Sequence, residues 1–324
     1  MPKINMPKIL VTNIGFGKAS PTAINRLGDV AELQLNDRGL RHEESAMAEL
    51  IHDATILIAG TEKISKKVLD KAPNLKMIAR VGVGVDNIDL NVAQTKKINI
   101  SYTPDAPSQA IPEFTLSLIL ALIKGIPFVD RMMHQKIWQR PMGRMLSSLS
   151  IGIVGAGRIG SKLIHLINTV SPQTKIFFYD PFVSTHDKAQ KLDLGTLFKE
   201  CDIISLHLPY TDDTRNLIDR GLLFSMKENS YLINTARGGL VDEQALYELL
   251  HSKQIAGAAL DVFEQEPYTG PLCDLDNCLL TSHIGSLTQE IRAIMEEQVV
   301  EDVVRFINQK PLLNPLPGFN FCEI

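Results

Sequence analysis

Three glycines follow a short apolar run near the middle of the chain. The stretch Ile151–Gly160 has the pattern of a strand, then Gly155, Gly157 and Gly160 in the spacing Gly-x-Gly-x-x-Gly, then the start of a helix. In such a turn the first glycine permits a sharp reversal, the second lets the backbone approach a pyrophosphate, and the third lets helix and strand pack closely. The pattern predicts a dinucleotide site, although the same spacing also occurs in ordinary strand-to-helix turns.

An acid stands where a dinucleotide site of this kind places one. Asp180 follows the next strand-like run, Lys175–Tyr179, twenty positions beyond Gly160. A carboxylate there can accept hydrogen bonds from both ribose hydroxyls and would repel a 2′-phosphate. We therefore expect the cofactor to be NAD rather than NADP, with an ordinary loop acid as the alternative.

Three further polar residues, Arg237, Glu266 and His283, each follow a strand-like run in the second half of the chain. The carboxyl ends of strands border the ligand crevice of an open α/β sheet, so we expect these side chains to converge there. Taken singly, each is more often a structural or surface residue. Together they predict a catalytic constellation.

The chemistry that this constellation suits is hydride transfer to a 2-oxo acid, which produces an alkoxide. His283 can donate the proton in reduction and accept it in oxidation, because imidazole titrates near neutral pH. Glu266 can orient the ring and balance its positive charge. Arg237 offers a planar fork that can hold the substrate carboxylate and polarise its carbonyl.

The elements that must position these residues alternate along the chain. Short apolar runs without a period of two are typical of strands that helices cover on both faces, and they alternate with helical stretches. The pattern predicts an α/β fold with doubly wound parallel sheets. The strand-like runs are 9–12, 55–59, 77–81, 151–154, 175–179, 203–207 and 230–234.

The two series of strands predict two lobes. One series lies in residues 1–102, and a more complete one begins at Ile151. Pro104, Pro107 and Pro112 occupy the junction, where fixed φ angles and missing N–H groups predict a hinge strand rather than a helix interior. Residues 287–308 predict an amphipathic helix whose apolar stripe comprises Ile291, Ile294, Met295, Val299, Val303 and Phe306.

A second glycine cluster, Gly15–Ser20, superficially resembles a phosphate loop. It lacks the four residues that a nucleotide-triphosphate loop places between its first glycine and its Gly-Lys pair. We therefore expect a plain turn between a strand and a helix.

Composition excludes several classes of protein. With a formal net charge of −4 in 324 residues, 44% hydrophobic and 22% charged, the chain has no general attraction for nucleic acid. The longest apolar run, Phe114–Ile123, is about half of what a membrane span needs, so we expect a buried helix and no membrane partner. The first ten residues lack a secretory core, which indicates a cytoplasmic protein.

The four cysteines are Cys201, Cys273, Cys278 and Cys322. Because they lack the paired spacing of zinc or redox motifs, we expect isolated thiols. We also expect no metal site.

Four motifs together resemble the D-isomer-specific 2-hydroxyacid dehydrogenase family. They are RVGVGVDN at 80–87, NTARGGLVD at 234–242, GAALDVFEQEP at 257–267 and SHIGS at 282–286. The match runs in order from about Leu57 to Leu287 and includes the glycine fingerprint. Within the family, the sequence is most similar to phosphoglycerate dehydrogenases and their short relatives that have no regulatory domain.

The resemblance implies a discontinuous architecture. A Rossmann nucleotide-binding lobe, residues 104–287, is inserted into a flavodoxin-like substrate-binding lobe made of residues 1–103 and 288–324. The implied activity is NAD-dependent interconversion of a D-2-hydroxy acid and its 2-oxo acid.

Site residues follow from the same resemblance. Arg237, Glu266 and His283 fall on the catalytic positions. Val83 and Gly84 fall on a loop that meets the substrate carboxylate, where glycine lets N–H groups face an anion. Besides Gly155, Gly157, Gly160 and Asp180, the cofactor contacts that the resemblance implies are Arg158, Ile159, Leu208, Pro209, Thr235, Ala236, Asp261, His283 and Gly285.

The substrate is less well determined. Arg80 and Arg140 lie where phosphoglycerate dehydrogenases place basic residues for the substrate phosphate, so 3-phosphoglycerate is one expectation. The run Ala59–Thr61 lacks an arginine that those enzymes often carry. Lys63 or Arg144 could supply the missing charge, although a solvated surface residue is the more common role for each.

Members of this family usually form homodimers through a helical segment that corresponds here to Ile111–Trp138. The alternative is a helix buried within one subunit. Two other functions stay open: an NAD-binding regulatory scaffold of the same fold, like the C-terminal-binding-protein corepressors, and an oxidoreductase of formate or phosphite.

Overall fold

The structure is a computed structural model that describes residues 6–37 and 39–321. Each of the seven runs predicted as strands forms a strand whose ends differ from the prediction by at most one residue. The strands are β1 (Lys8–Val11), β2 (Glu32–Gln34), β3 (Ile56–Ala59), β4 (Met77–Arg80), β5 (Asn99–Ser101), β6 (Ser150–Val154), β7 (Lys175–Tyr179), β8 (Gln190–Lys191), β9 (Ile203–Leu206), β10 (Tyr231–Asn234), β11 (Gly257–Leu260) and β12 (Cys278–Leu280).

Helices separate most of these strands, as a parallel sheet requires. They are α1 (Pro21–Gly28), α2 (Glu44–Leu50), α3 (Lys66–Asp70), α4 (Leu90–Thr95), α5 (Pro107–Ile123), α6 (Ile126–His134), α7 (Arg158–Val170), α8 (Leu194–Glu200), α9 (Arg220–Phe224), α10 (Glu243–His251) and α11 (Gln289–Ile307). Short 3₁₀ turns lie at Leu146–Ser148, Gly238–Leu240 and Pro271–Asp274.

The described residues divide into two compact units. Unit 1 comprises those of Met1–Pro107 and Leu287–Ile324, and unit 2 is Ser108–Ser286. Unit 1 has a parallel sheet in the order β2-β1-β3-β4-β5, which is the flavodoxin-like order. Unit 2 has a parallel sheet in the order β12-β11-β10-β9-β6-β7-β8, a Rossmann order with one additional strand.

Consecutive residues of the unit 2 strands enter cores on opposite faces of the sheet. Leu232 packs in one cluster and Ile233 in the other, and Ala258 and Ala259 divide in the same way. Because both faces are covered by apolar side chains, the strands show continuous apolar runs without alternation. This is the physical reason for the pattern that the sequence displays.

Helix α5 contradicts the prediction of a hinge strand at the prolines. Pro107 is its first residue, where the missing N–H costs nothing, and Pro112 lies inside the helix. Leu116, Ile119 and Ile123 of this helix are buried against the face of β6. Because this packing stabilises α5, the helix tolerates the hydrogen bond that is lost at Pro112.

The final helix, α11, belongs to unit 1 and buries most of its predicted stripe. Ile294 is the exception, at 39% exposed, so that prediction was wrong for this residue. Two acidic side chains in the helix, Glu296 and Asp302, are buried as well.

Glu296 explains the second glycine cluster. Its Oε2 accepts hydrogen bonds from Gly17 N at 3.0 Å and Ser20 N at 3.1 Å, and Arg292 Nε donates to its Oε1 at 2.8 Å. Gly15 and Gly17 both have positive φ angles. The segment is a strand-to-helix turn whose N–H groups already bind a carboxylate, as the prediction of a plain turn requires.

Among residues 6–37 and 39–321, no single helix is both long and apolar enough to cross a membrane. The pair α5 and α6, bent by 64°, meets that test only when the two helices are taken together.

The turn from β6 into α7 depends on two close approaches. Gly155 has a φ of +97°, and a Cβ there would lie 2.7 Å from His207 O. A Cβ on Gly160 would lie 1.9 Å from Gly155 O, whereas one on Gly157 would meet nothing within 4 Å. Gly155 and Gly160 are therefore required by the protein's own packing, and Gly157 is not.

We predict that two alanine substitutions in this turn differ in their effect on stability. Gly160→Ala should destabilise the chain by roughly 2–3 kcal/mol because the methyl group collides with backbone, and should lower Tm by roughly 4–10 °C. Gly157→Ala, the matched control, should change the free energy of unfolding by less than about 1 kcal/mol. Thermal unfolding of both cofactor-free variants measures this, and equal Tm values would contradict the close approach.

Candidate active site

The carboxyl edge of the unit 2 sheet collects the predicted site residues. Arg237, Glu266 and His283 follow β10, β11 and β12, which are adjacent strands of the sheet. The glycine turn follows β6, beside β9, and the order of strands reverses at this pair. Ligands of open α/β sheets bind outside the carboxyl ends of the strands at such a switch point.

The glycine turn fits a dinucleotide. Gly157 is the N-cap of α7, a helix of 13 residues, and open space surrounds the position where its Cβ would be. The glycine therefore leaves room for a group outside the protein, and the N–H groups of the helix N-terminus favour an anion there. Arg158 is exposed and Ile159 half-buried at the start of α7.

Asp180 lies against this turn. Its Oδ2 accepts a hydrogen bond from Ala156 N at 2.8 Å, and its Oδ1 accepts from Phe182 N at 2.8 Å and Val183 N at 3.0 Å. The carboxylate therefore links the loop after β7 to the glycine turn. An ionised carboxylate offers about four acceptor sites, so these bonds leave capacity for a ribose hydroxyl.

Three other predicted cofactor residues have structural contacts within the unit. Leu208 is buried next to Gly155, and Thr235 Oγ1 lies 3.0 Å from Thr115 Oγ1 on α5. Ala236 N donates to Asn234 Oδ1 at 3.1 Å. Pro209 is exposed directly after Leu208.

Asn234 shapes the loop that carries Arg237. It is buried, and besides accepting from Ala236 N it donates from Nδ2 to Arg237 O at 2.8 Å. The half-buried Arg237 donates from Nη1 to Ala236 O at 2.7 Å. A Cβ on the next residue, Gly238, would lie 1.9 Å from Phe263 C, so this loop packs directly on the turn that leads to Glu266.

His283 and Glu266 form a hydrogen-bonded pair. His283 Nδ1 lies 2.9 Å from Glu266 Oε2 and 3.1 Å from Oε1, and the two side chains are 32% and 21% exposed. Phe263 N also donates to Glu266 Oε1 at 3.2 Å. Because an ionised carboxylate only accepts hydrogen bonds, Nδ1 carries a proton and Nε2 is left for a reacting group.

The carboxylate of Asp261 holds the loop that carries His283. Its Oδ1 accepts from Thr281 Oγ1 at 2.6 Å and from Ile284 N at 2.9 Å, and its Oδ2 accepts from Gly285 N at 2.8 Å. His283 N donates to the backbone carbonyl of Asp261 at 2.8 Å. These bonds keep His283 at a φ of +57°, a left-handed conformation that costs a non-glycine residue about 1–2 kcal/mol. The contact of Asp261 with the cofactor, which the resemblance implies, stays a prediction.

Sequence analysis did not identify several residues that support the site. Asn234 and Thr281 act through backbone and loop contacts that no spacing reveals. Glu243, the first residue of α10, accepts a hydrogen bond from Glu264 N at 2.5 Å, and its burial raises the pKa of its carboxyl group, with a further contribution from the charges of Glu264 and Glu266. An acid at that position looks like an ordinary helix-terminal residue.

Three other side chains are unsuited to proton transfer at neutral pH. Burial lowers the pKa of His207 to about 3, so this ring stays neutral beside Ser205. Burial raises the pKa of the thiols of Cys201 and Cys278 to about 12. Cys201, Cys273 and Cys278 are free thiols, as predicted, and Cys322 lies outside the described residues.

Arg80 and Arg140, the two residues predicted to bind the substrate phosphate, belong to different units. Arg80, in unit 1, is 6% exposed, donates from Nε to Gly84 O at 3.0 Å and hydrogen-bonds to Val81 O through Nη1. It therefore shapes the loop that contains Val83 and Gly84. Arg140 is exposed in unit 2, on the loop after α6.

Lys63 and Arg144, the two alternative candidates for a substrate-binding cation, each lie close to an acidic side chain. Lys63 lies 3.9 Å from Glu44. Arg144 lies 3.7 Å from Asp202, which directly precedes β9. Arg144 is thus at the amino edge of the unit 2 sheet, whereas the predicted catalytic residues follow the carboxyl ends of its strands.

Comparisons with known proteins agree with this geometry. Residues 116–285 match the model of the NAD-binding domain of the D-isomer specific 2-hydroxyacid dehydrogenases. The glyoxylate reductase of Thermofilum pendens is 36% identical over 92% of this chain and 91% of its own length. A crystal structure of D-lactate dehydrogenase from Aquifex aeolicus, in complex with NAD and lactic acid, has a TM-score of 0.82 at 28% identity, over 93% of this chain and 95% of that one.

Longer relatives match over only part of their length. The D-3-phosphoglycerate dehydrogenase of Methanocaldococcus jannaschii is 37% identical over 94% of this chain, which spans 60% of that relative. The corresponding enzyme of Archaeoglobus fulgidus is matched over 53% of its length. From the domain model and from relatives matched over nearly their whole length, this chain belongs to the D-isomer specific 2-hydroxyacid dehydrogenase family.

Proposed function

We propose that this chain uses NAD to interconvert a small, unphosphorylated D-2-hydroxy acid and its 2-oxo acid. The observation that carries the proposal is the His283–Glu266 pair, held on a loop fixed by Asp261 at the same sheet edge as the glycine turn. The pair supplies a proton donor, and the turn supplies a place for the dinucleotide. Cytoplasmic location stays a prediction from the sequence.

His283 acts as the general acid when the 2-oxo acid is reduced. The nicotinamide, when bound, supplies the hydride in this direction. The carbonyl oxygen gains negative charge, and the proton on His283 Nε2 moves to it. Glu266 keeps the proton on Nδ1 and balances the positive charge of the ring before the transfer. In the oxidative direction the neutral ring accepts the same proton.

Arg237 holds the substrate in the orientation that the reaction needs. Its guanidinium can bind the substrate carboxylate through two parallel hydrogen bonds and polarise the neighbouring carbonyl. Asn234 and Gly238 fix the backbone on both sides of Arg237, so little conformational entropy is lost on binding.

Asp180 favours NAD over NADP. Its carboxylate lies beside the glycine turn, and three backbone N–H groups keep it in place. A 2′-phosphate would bring like charge toward this group, whereas a free ribose hydroxyl can donate to it. The predicted contacts of Arg158, Ile159, Pro209, Asp261 and Gly285 with the cofactor belong to the same proposal.

The unphosphorylated substrate follows from unit 1, which the resemblance assigns to substrate binding. Arg80 donates from Nε and Nη1 to carbonyl groups of its own loop. In the turn after β3, the buried Glu62 accepts from Gly60 N at 2.9 and 3.1 Å and hydrogen-bonds to Thr12. A carboxylate thus occupies the turn in which phosphoglycerate enzymes often carry a cation, and it disfavours a phosphate dianion.

We predict that glyoxylate or hydroxypyruvate is reduced with a kcat/KM at least about tenfold above that for 3-phosphohydroxypyruvate, because one lost charged hydrogen bond costs roughly 1.5–3 kcal/mol. Oxidation of NADH, followed by its absorbance, compares a panel of 2-oxo acids. A preference for 3-phosphohydroxypyruvate would overturn the substrate proposal. If NADH binds but no 2-oxo acid is reduced, the proposal that this chain is an enzyme is overturned and a regulatory scaffold is favoured.

A second prediction concerns the proton donor. His283→Ala should lower kcat by about 100-fold or more, the scale of lost general acid–base catalysis, and leave the dissociation constant for NADH unchanged. Glu266→Gln keeps an acceptor for Nδ1 without the charge, and should lower kcat by at least about tenfold. His52→Ala, an exposed histidine of unit 1 with no proposed role, is the control. Near-normal turnover of His283→Ala would remove this residue from the mechanism.

We also propose a homodimer formed through α6 and the loop after it. None of the residues of α6 is buried, although the helix is amphipathic. Large apolar side chains are exposed along it and the loop that follows: Ile126 (56%), Met133 (46%), Ile137 (42%), Trp138 (76%), Met142 (99%) and Met145 (67%). Such a concentration of exposed apolar surface is typical of an interface. Helix α5, by contrast, buries its apolar face within unit 2.

Trp138→Glu should shift the protein toward monomer. A buried tryptophan at an interface contributes about 2 kcal/mol or more, so the dimer dissociation constant should rise by at least about 30-fold. Sedimentation of the wild type and the variant over a concentration series measures this, with the exposed Phe182→Glu of unit 2 as control. A wild-type protein that sediments only as a monomer would contradict the proposal.

A further inference from the structure

Two imidazoles and a carboxylate meet on the surface of unit 2. His165 lies on α7, and His186 and Asp187 lie on the loop between β7 and β8. Asp187 Oδ1 is 3.6 Å from His165 Nε2 and 3.3 Å from His186 Nδ1. One potential ligand atom from each residue lies within 4.8 Å of the others. The roles proposed above do not involve any of the three.

These separations suit a shared metal ion. Donor atoms placed about 2.0–2.1 Å from a tetrahedral zinc ion lie roughly 3.3–3.5 Å from one another. Two of the three pairs are already at or near that spacing. Two imidazoles with one carboxylate are also a donor set that zinc, copper and nickel accept, whereas magnesium and calcium prefer oxygen ligands.

His186 is prepared to act as a ligand. Its side chain is 7% exposed, so the residues packed around the ring hold it in place. Lys188 N donates to Nδ1 at 3.1 Å, so Nδ1 has a lone pair and the ring proton is on Nε2. Nε2 lies 3.0 Å from Ser161 Oγ and can donate to it. Metal-bound histidines usually donate their second N–H to such a partner.

The remaining ligands are accessible from solvent. The side chain of His165 is 51% exposed and that of Asp187 is 63% exposed. An ion can therefore reach the three donor atoms and keep a water molecule in its fourth position. Binding would replace the hydrogen bond from Lys188 N to Nδ1 and would need only an adjustment of that exposed loop.

We propose that His165, His186 and Asp187 bind one divalent transition-metal ion of the zinc type, which links α7 to the loop after β7. The sequence predicted no metal because His165 and His186 lie 21 positions apart in the chain. The linked loop begins beside Asp180, so the ion would stabilise the part of unit 2 that borders the proposed ribose position. It has no part in the proton transfer at His283.

Calorimetric titration of the full-length, chelator-treated chain with ZnCl₂ tests the proposal. We expect one equivalent of Zn²⁺ to bind and to raise Tm, and Co²⁺ to give the visible absorption of tetrahedral coordination. His165→Ala and Asp187→Asn change exposed side chains and should each weaken binding on the order of 100-fold. His186→Ala should do the same, but it also removes a buried ring that could be needed for folding.

The matched control is His52→Ala. His52 Nδ1 lies 2.7 Å from Asp53 Oδ1, in an exposed histidine–aspartate pair of unit 1 that is not part of the cluster. It should leave Zn²⁺ binding unchanged. The proposal is overturned if the wild type does not bind Zn²⁺, or if His165→Ala and Asp187→Asn both bind as tightly as the wild type. Binding is measured without cofactor or substrate, so either result is independent of the enzymatic proposal.

Discussion

The carboxylate of Asp261 is buried at the end of β11, where an ionised group is tolerated only if its hydrogen bonds are complete. Thr281 Oγ1, Ile284 N and Gly285 N supply three of these hydrogen bonds, and all three donors belong to the segment after β12. The carboxylate of Asp261 therefore joins the ends of the neighbouring strands β11 and β12 through hydrogen bonds. The left-handed backbone of His283 and the direction of its ring toward Glu266 both depend on this arrangement.

The parallel sheet supplies the rest of the arrangement. Arg237, Glu266 and His283 are far apart in the chain, but their strands are neighbours and end at one edge. The close approach of Gly238 to Phe263 brings the arginine loop against the glutamate turn, and no side chain larger than hydrogen fits between them. Backbone packing thus brings together the strand ends that carry the constellation.

Much of the fold and the centre of the site could be predicted because their signals are local. Strands buried on both faces show apolar runs, and the glycine spacing reports a turn made by consecutive residues. The resemblance added the discontinuous order of segments. The prediction for Pro112 was wrong because the packing of α5 outweighs a local preference. The support from Glu243 and Asn234 could not be foreseen, since it consists of side-chain contacts to backbone groups that only the folded loops bring near.

The turn at Gly15–Ser20 resembles a phosphate-binding loop, but a carboxylate of the same chain occupies its N–H groups. Glu296 is tethered to the same polypeptide, so its effective concentration at the N–H groups of Gly17 and Ser20 far exceeds that of any free anion. A dissolved phosphate would have to displace an intramolecular competitor that Arg292 also anchors. The same contact closes a ring between the first loop of unit 1 and its last helix, residues that are 279 positions apart. The two segments of the discontinuous unit 1 are therefore joined by hydrogen bonds, although the residues of unit 2 separate them along the chain.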